Sequence, residues 1–387
     1  MKTLFMFVLC LLVGITACIS ANAQKGAQEN QAGLEHFNAG RYAEAEEAFR
    51  NASSKDTNNH IYLMNVGNAC LDQGKIEEAC DAFRKSVLAA PEEVGAHFPY
   101  VEACFNLGRT DQAIKDLEEI VKESKPKNLK GINKFFISNQ AIAFAYSLTG
   151  DYNKTIDLCD LCLDILVKTK TERGGYIIPV VTPWFVSVSA VSKSQINLDG
   201  IYTSFYDLRG RAYYRLGNLD KAQADFQSSL AKSGPFAESN LGRVLLDLNI
   251  KEAAFYLRSQ IEKNANIPTS RLFYSATLKI NGDPVRAEEE YARAIKNRIN
   301  TKLKSNFEYV EALAYAHQAW GRYDEALAAY KQVSEMMSYL YWPHMKMGEI
   351  YLARGEKELA IASFNRAVSL APQNTTLKQM AEKAVAQ

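Results

Sequence analysis

Glycine recurs at Gly40, Gly74 and Gly108, 34 residues apart each time, and the residues around it recur with it. Seven positions earlier stand Gly33, Gly67 and Val101; five later stand Ala45, Ala79 and Ala113; nine later stand Phe49, Phe83 and Leu117. A period of this length with small residues at fixed offsets specifies two amphipathic helices meeting at a tight turn, where glycine takes the left-handed conformation that ends the first helix. The small residues let the helices approach, and the aromatic packs onto the next repeat. One such hairpin cannot bury its own apolar face, so the units must stack.

The pattern continues in the second half, with turns at Gly217, Asn249, Gly282, Gly321 and Gly355. Ala222, Ala254, Ala287, Ala326 and Ala360 follow these turns by five residues, and Phe226, Tyr291, Tyr330 and Phe364 hold the aromatic place. The unit turning at Asn249 carries Arg258 there instead, and a unit turning at Gly150 keeps Ala143 and Tyr152 but has Thr155 and Cys159 where alanine and an aromatic are usual. The most complete copy is the last: Gly348, Gly355, Ala360, Phe364, Ala367 and Pro372.

This set of offsets resembles the tetratricopeptide repeat (TPR) family. The resemblance implies an all-α, TPR-like α-solenoid, a right-handed superhelix of helical hairpins. Nine units are expected, four over residues 26–167 and five over 203–374, around a non-repeat insertion at 168–202. After Pro372, residues 375–387 read as a capping helix with Leu377, Met380, Ala384 and Val385 inward.

Residues 1–23 read as a secretory leader: Lys2, an apolar run from Leu4 to Ile15, then Ala21-Asn22-Ala23 before the cut at Gln24. Ile15-Thr16-Ala17-Cys18 inside it resembles a bacterial lipobox, which would acylate Cys18 and tether the chain. The well-formed Ala-x-Ala site favours the later cut. Both readings export the protein, to the periplasm or an outer-membrane face. The apolar stretch from Tyr176 to Val191 is broken by Pro179 and Pro183 and does not read as a membrane span. Lys+Arg total 45 and Asp+Glu 44, and Lys2 leaves with the leader, so the balance gives no support for nucleic acid as partner.

Five cysteines survive cleavage after Ala23: Cys70, Cys80, Cys104, Cys159 and Cys162. They read as small core residues, with one cross-hairpin disulfide such as Cys70 with Cys80 as the alternative. Cys159-x-x-Cys162 lies inside a helix without a second pair, so core packing outweighs a metal or redox role. The five histidines are scattered and no phosphate loop or nucleophile elbow appears, so no catalytic residue, cofactor or metal is expected.

A stack of hairpins offers a concave groove lined by first helices. If family geometry holds, residues two, three, six and ten before the turn glycine face it, which selects Arg211, Arg215, Arg243 and Lys279 as cations on one surface. Arginine forks suit a carboxylate, so the expected guest is a protein or peptide with an acidic segment or C-terminal carboxylate. The competing reading pairs these cations with Asp207 or Asp247. Asn68 stands where peptide-clamping TPR modules place an asparagine, although Met64 occupies the matching lysine position. The insertion reads as an extended loop or a short hairpin turning at Thr182-Pro183, either a partner site or a hydrophobic plug, with Trp184 and Phe185 buried in both cases. The function expected is an exported interaction scaffold in envelope assembly or maintenance. The alternative is a glycan- or lipid-binding component using Trp184, Phe185, Tyr213 and Tyr214.

Overall fold

The computed structural model describes residues 25–386 except 235–236, 249–251, 264–266, 297–298, 300–303 and 373. The leader, Cys18 and Asn249 therefore lie outside the described residues. Helices α1 (Ala27–Asn38) and α2 (Tyr42–Lys55), α3 (His60–Asp72) and α4 (Ile76–Ala89), α5 (His97–Asn106) and α6 (Thr110–Ser124), and α7 (Leu129–Thr149) and α8 (Tyr152–Val167) follow one another as antiparallel pairs. Three strands come next: β1 (Lys170–Glu172), β2 (Gly175–Thr182) and β3 (Phe185–Ser192). The pairs then resume with α9 (Leu198–Arg215) and α10 (Leu219–Ala231), α11 (Ala237–Asp247) and α12 (Ala253–Lys263), α13 (Pro268–Ile280) and α14 (Pro284–Ile295), α15 (Phe307–Ala319) and α16 (Tyr323–Met336), and α17 (Trp342–Ala353) and α18 (Lys357–Leu370). Helix α19 (Thr375–Ala386) closes the order. The fold is an all-α solenoid carrying one small antiparallel sheet.

Every turn glycine from Gly40 to Gly355 has a positive φ, between 69° and 88°, which lets the chain reverse at a left-handed residue. At Gly74 the Lys75 N–H reaches back to the Cys70 carbonyl at 2.9 Å, capping the end of α3.

The helices of a pair are held together by a size trade. A Cβ on Gly67 would lie 2.5 Å from the Phe83 ring, and Gly33 with Phe49, Gly210 with Phe226 and Gly348 with Phe364 repeat this contact. In the third pair Val101 and Leu117 hold these two places, a larger residue with a smaller one, and both are fully buried. Gly67→Val should therefore overpack the second pair by about 1–3 kcal/mol, and adding Phe83→Leu should recover most of that loss. A chemical-denaturation cycle over the two single and one double variants reads the coupling; additive losses would show that the two sites do not share one space.

The weaker units deviate in ways the packing explains. Thr155 sits fully buried and donates to the Ala143 carbonyl at 3.3 Å, so a hydroxyl bridges the helices where alanine is usual. In the pair after α10, the residue against Gly242 is Leu257, not Arg258. Arg258 points outward and pairs with Glu262 at 2.7 Å. The step from small residue to large one is 15 there instead of 16, which moves the apolar place one residue back.

The chain divides into two compact units, one holding residues up to 120 with 133–138, the other holding 121–132 and 139–387. In the second unit the superhelix closes on itself. The Tyr339 hydroxyl donates to the Leu148 carbonyl, and a Cβ on Gly150 would meet the Tyr339 ring at 2.6 Å. Gly217 lies against Tyr341 and Asn374 in the same way. Solenoid repeats ordinarily touch only their neighbours; here segments far apart in sequence meet. At its end α19 covers α18 with Leu377, Ala381 and Ala384, spaced on one helical face. Val385, expected inward, falls off that face and is exposed.

The sheet inverts the usual pattern of sides. Strand β3 turns Ser187, Ser189 and Val191 inward, and both serine hydroxyls donate to the Pro126 carbonyl. Its outward face carries Val186 and Val188 beside Val181 of β2, all exposed. Trp184, expected to be buried, is 53% exposed, and Phe185 is half-buried. The reason is local: the Thr182 hydroxyl accepts from the Trp184 and Phe185 N–H groups at 3.3 Å each, a tight turn that projects Trp184 beyond the strands.

Candidate functional site

The first helices of successive pairs in the second unit are α9, α11, α13, α15 and α17. Their facing side chains build one continuous polar cluster. Arg211 and Arg215 stand a turn apart on α9, as i and i+4 residues must, and Arg243 comes from α11. The structure thus brings three of the four selected cations together, but against carboxylates of the same chain. Arg215 grips Glu311 of α15 with two nitrogens, at 2.9 and 3.4 Å. Arg243 reaches the same carboxylate at 2.5 Å, and Arg211 pairs with Glu308. Glu311 is 1% exposed and Arg215 and Arg243 are buried with it, so these arginines are not the free exposed cations the sequence offsets imply. Closure of the superhelix is the cause, because it carries α15 across to α9 and α11. Arg211 keeps 35% of its side chain exposed, at the edge of the cluster.

Aromatic rings complete the setting. The Arg243 guanidinium lies 4.1 Å from the centroid of Phe273 and 5.3 Å from that of Tyr315, while Arg215 lies over Tyr214 and Phe307. Such stacking holds a weakly hydrated guanidinium in a dry place. Asp247 bonds Arg243 at 3.4 Å and accepts from the Tyr214 hydroxyl, the pairing that competed with a guest in the sequence reading. Among the described residues Asp207 makes no such ion pair. Farther along, Lys346 and Glu349 of α17 pair at 3.1 Å.

The electrostatics follow from this crowding. Burial raises the Glu308 carboxyl, and Arg211 and Arg215 more than offset it, so its pKa lies below the ordinary value. Burial likewise raises Asp247, and Arg243 and Lys346 bring it below. Both groups stabilise the fold fully above the ordinary carboxylate pKa, and that contribution is lost as pH falls through their depressed values.

Two cavities open on the cluster. A small one, about 70 Å³, is lined by Arg211, Arg215, Asn240, Arg243, Thr269 and Glu308 among others. A larger one of about 250 Å³ lies between Tyr214, Arg243, Asp247, Tyr341, Trp342, Met345, Lys346 and Glu349, with Asn374 and Met380 at its rim. Lys279 lines neither; its ammonium rests 4.5 Å from the centre of the Trp320 ring. Trp184 and Phe185 also line neither, whereas Tyr214 lines both. Tyr213 faces elsewhere, under the Lys221 ammonium at 5.1 Å, so the four aromatics do not form one stacking surface. Asn68 is half-buried on α3 in the first unit, beside a buried Asn65 that donates to Asn30 at 2.8 Å.

The carboxylate half of the cluster is legible in part, beyond the Asp247 that the sequence reading names. Glu311 lies ten before the turn glycine Gly321 and Glu349 six before Gly355, offsets that select the groove in every unit. Glu308, Trp342 and Lys346 fall on other offsets and carried no such signal.

A family profile described as "Tetratricopeptide repeat" matches residues 30–94, 72–128, 208–266 and 281–335, and a second with the same description matches 344–374. No curated protein matches the chain. Among solved structures it is similar to the Rap conjugation gene regulator of plasmid pLS20 in complex with the Phr* peptide, with TM-score 0.52 and 14% identity over 92% of this chain and 97% of that one. It is also similar to a tetratricopeptide repeat protein from Parabacteroides merdae, with TM-score 0.35 and 16% identity over 94% and 99% of the two chains. The profiles cover more than half of the sequence, and the repeated helix pairs and left-handed turn glycines are those the repeat requires: the chain belongs to the tetratricopeptide repeat family.

Proposed function

We propose that this protein is an exported, non-catalytic scaffold that holds an extended segment of a partner protein or peptide in the second unit, along the cavity between Tyr214, Arg243, Asp247, Trp342 and Lys346. One observation carries the reading. A cavity of about 250 Å³ lies on the first-helix line, with aromatic walls and paired charges of both signs. Such a lining suits a peptide backbone, which brings donors and acceptors and apolar side chains but no net charge. An acidic side chain or C-terminal carboxylate of the guest, reaching from this cavity into the smaller one that shares Tyr214 and Arg243 with it, would meet Arg211, the most exposed of the three arginines. Support comes from the family, whose members are interaction scaffolds, and from the peptide in the complex of the Rap regulator, whose fold this chain shares. The leader sequence favours an envelope setting, in assembly or maintenance.

The hairpin favours a second reading. Val181, Trp184, Val186 and Val188 leave an apolar face in water, which suits a protein partner docked on the sheet.

A photo-crosslinking residue at Met345 in the cavity, at Val186 on the hairpin and at Lys357 outside both separates these readings in cells. Partner adducts from Met345, reduced about tenfold by Arg211→Ala, are the expected result for an acidic guest, since one charge-assisted contact is worth about 1.5–3 kcal/mol. Adducts from Val186 alone would move the site to the hairpin, and no adduct from either position would overturn the scaffold reading.

A further inference from the structure

We propose that Cys80 and Cys104 join in a disulfide in the exported protein, a covalent staple between the second helix of one repeat and the first helix of the next. Cys80 lies on α4 and Cys104 on α5, 24 residues apart in sequence, and their sulfurs are 3.1 Å from each other. Bond formation needs the sulfurs to close by about 1 Å, within what two side chains on packed helices can give.

The pair stands apart from the other three cysteines. Cys70, the partner suggested by the sequence, has its sulfur 3.7 Å from Arg50 Nη2, and the sulfur beside Cys80 is that of Cys104. Cys159 and Cys162 are fully buried on one helix, where burial raises both thiols well above their ordinary pKa. An odd set of five thus resolves into one pair and three core thiols. The export proposed above would bring the chain to a compartment where protein disulfides form and persist, and the staple rests on that reading.

The chemistry favours the same pair. In the packed pair the neighbouring Cys104 thiol brings the pKa of Cys80 down, against the burial that would raise it. The oxidant is a protein or small-molecule disulfide. The Cys80 thiolate attacks one of its sulfurs and releases a thiolate; the Cys104 thiolate then attacks the Cys80 sulfur of the mixed disulfide and releases the second. Two electrons pass to the oxidant, which leaves as two thiols carrying the two protons. Cys80 and Cys104 are both buried in the folded chain, so the exchange belongs to folding, before α5 packs on α4. The closed loop restricts the unfolded chain and ties adjacent repeats, the step at which a solenoid otherwise unzips.

The test uses the chain from Gln24 onward, refolded with oxidised glutathione, alkylated with N-ethylmaleimide after denaturation, and mapped by mass spectrometry. The expected result is three adducts, on Cys70, Cys159 and Cys162, with a peptide linking Cys80 to Cys104, and five adducts after reduction. Reduction should also lower the melting temperature by roughly 5–10 °C, and Cys80→Ser should abolish that difference. Five adducts after oxidation, or a link between another pair, would overturn the assignment.

Discussion

Glu311→Ala is expected to destabilise the second unit by about 3–5 kcal/mol, the usual consequence of removing one partner from a buried ion cluster. Glu311 serves two guanidiniums at once, Arg215 at 2.9 Å and Arg243 at 2.5 Å. Neither arginine can shed its proton, and their side chains are only 9% and 10% exposed. Without the carboxylate both charges stay buried, with Asp247 and Glu308 at 3.4 and 3.6 Å as partial substitutes. A loss confined to the attraction itself would be smaller. The control is the triple replacement Arg215→Met, Arg243→Met and Glu311→Met, which removes all three charges and should cost less than the single alanine. Urea unfolding with fluorescence detection compares the two; a single variant within about 1 kcal/mol of the parent would show that the cluster is hydrated and contributes little.

Asp207→Asn should act in the opposite direction, stabilising the protein at pH 7 by about 2–3 kcal/mol. Asp207 is 7% exposed on α9, and its Oδ1 atom finds no partner. Burial pushes its carboxyl up to about 6, and Ser229, Arg211 and Asn240 lower it only in part. The sign follows from proton uptake. A folded pKa above the unfolded one, about 3.9, means the folded state binds the proton more tightly, so this group's contribution to stability falls as pH rises from about 4 to 6. Above that window the ionised carboxylate is a standing cost. Asparagine keeps the shape and removes the charge. The variant and the parent should therefore differ at pH 7 and converge near pH 4, and their difference cancels the opposite pH dependence of Glu308 and Asp247. Equal stability at both pH values would mean that Asp207 is solvated after all.

Much of the repeat architecture was legible, because it rests on local rules. A left-handed turn needs glycine, a close helix pair needs a small residue facing a large one, and both recur at a fixed interval that one sequence displays many times. The misreadings came where the interval slipped or the register ended. Arg258 was assigned a buried place that Leu257 fills, because that pair is one residue short. Val385 was assigned to the cap's inner face, which the spacing of Leu377, Ala381 and Ala384 excludes. Trp184 was assigned to the interior, yet a turn held by the Thr182 hydroxyl sets it outside.

The candidate site divides along the same line. That Arg211, Arg215 and Arg243 share a surface follows from their offsets to the turn, which are a property of one hairpin and can be counted in the sequence. What that surface faces is a property of the superhelix. Small rotations between successive repeats accumulate until α15 meets α9, and Glu308 and Glu311 arrive 97 and 96 residues from Arg211 and Arg215. No local pattern encodes that sum, since each rotation depends on how every pair packs on the next. The sequence by itself determined the repeat, its turns and the surface that the three arginines share; the tertiary structure alone decided that these cations meet carboxylates of their own chain, because curvature is set by the packing of the whole array.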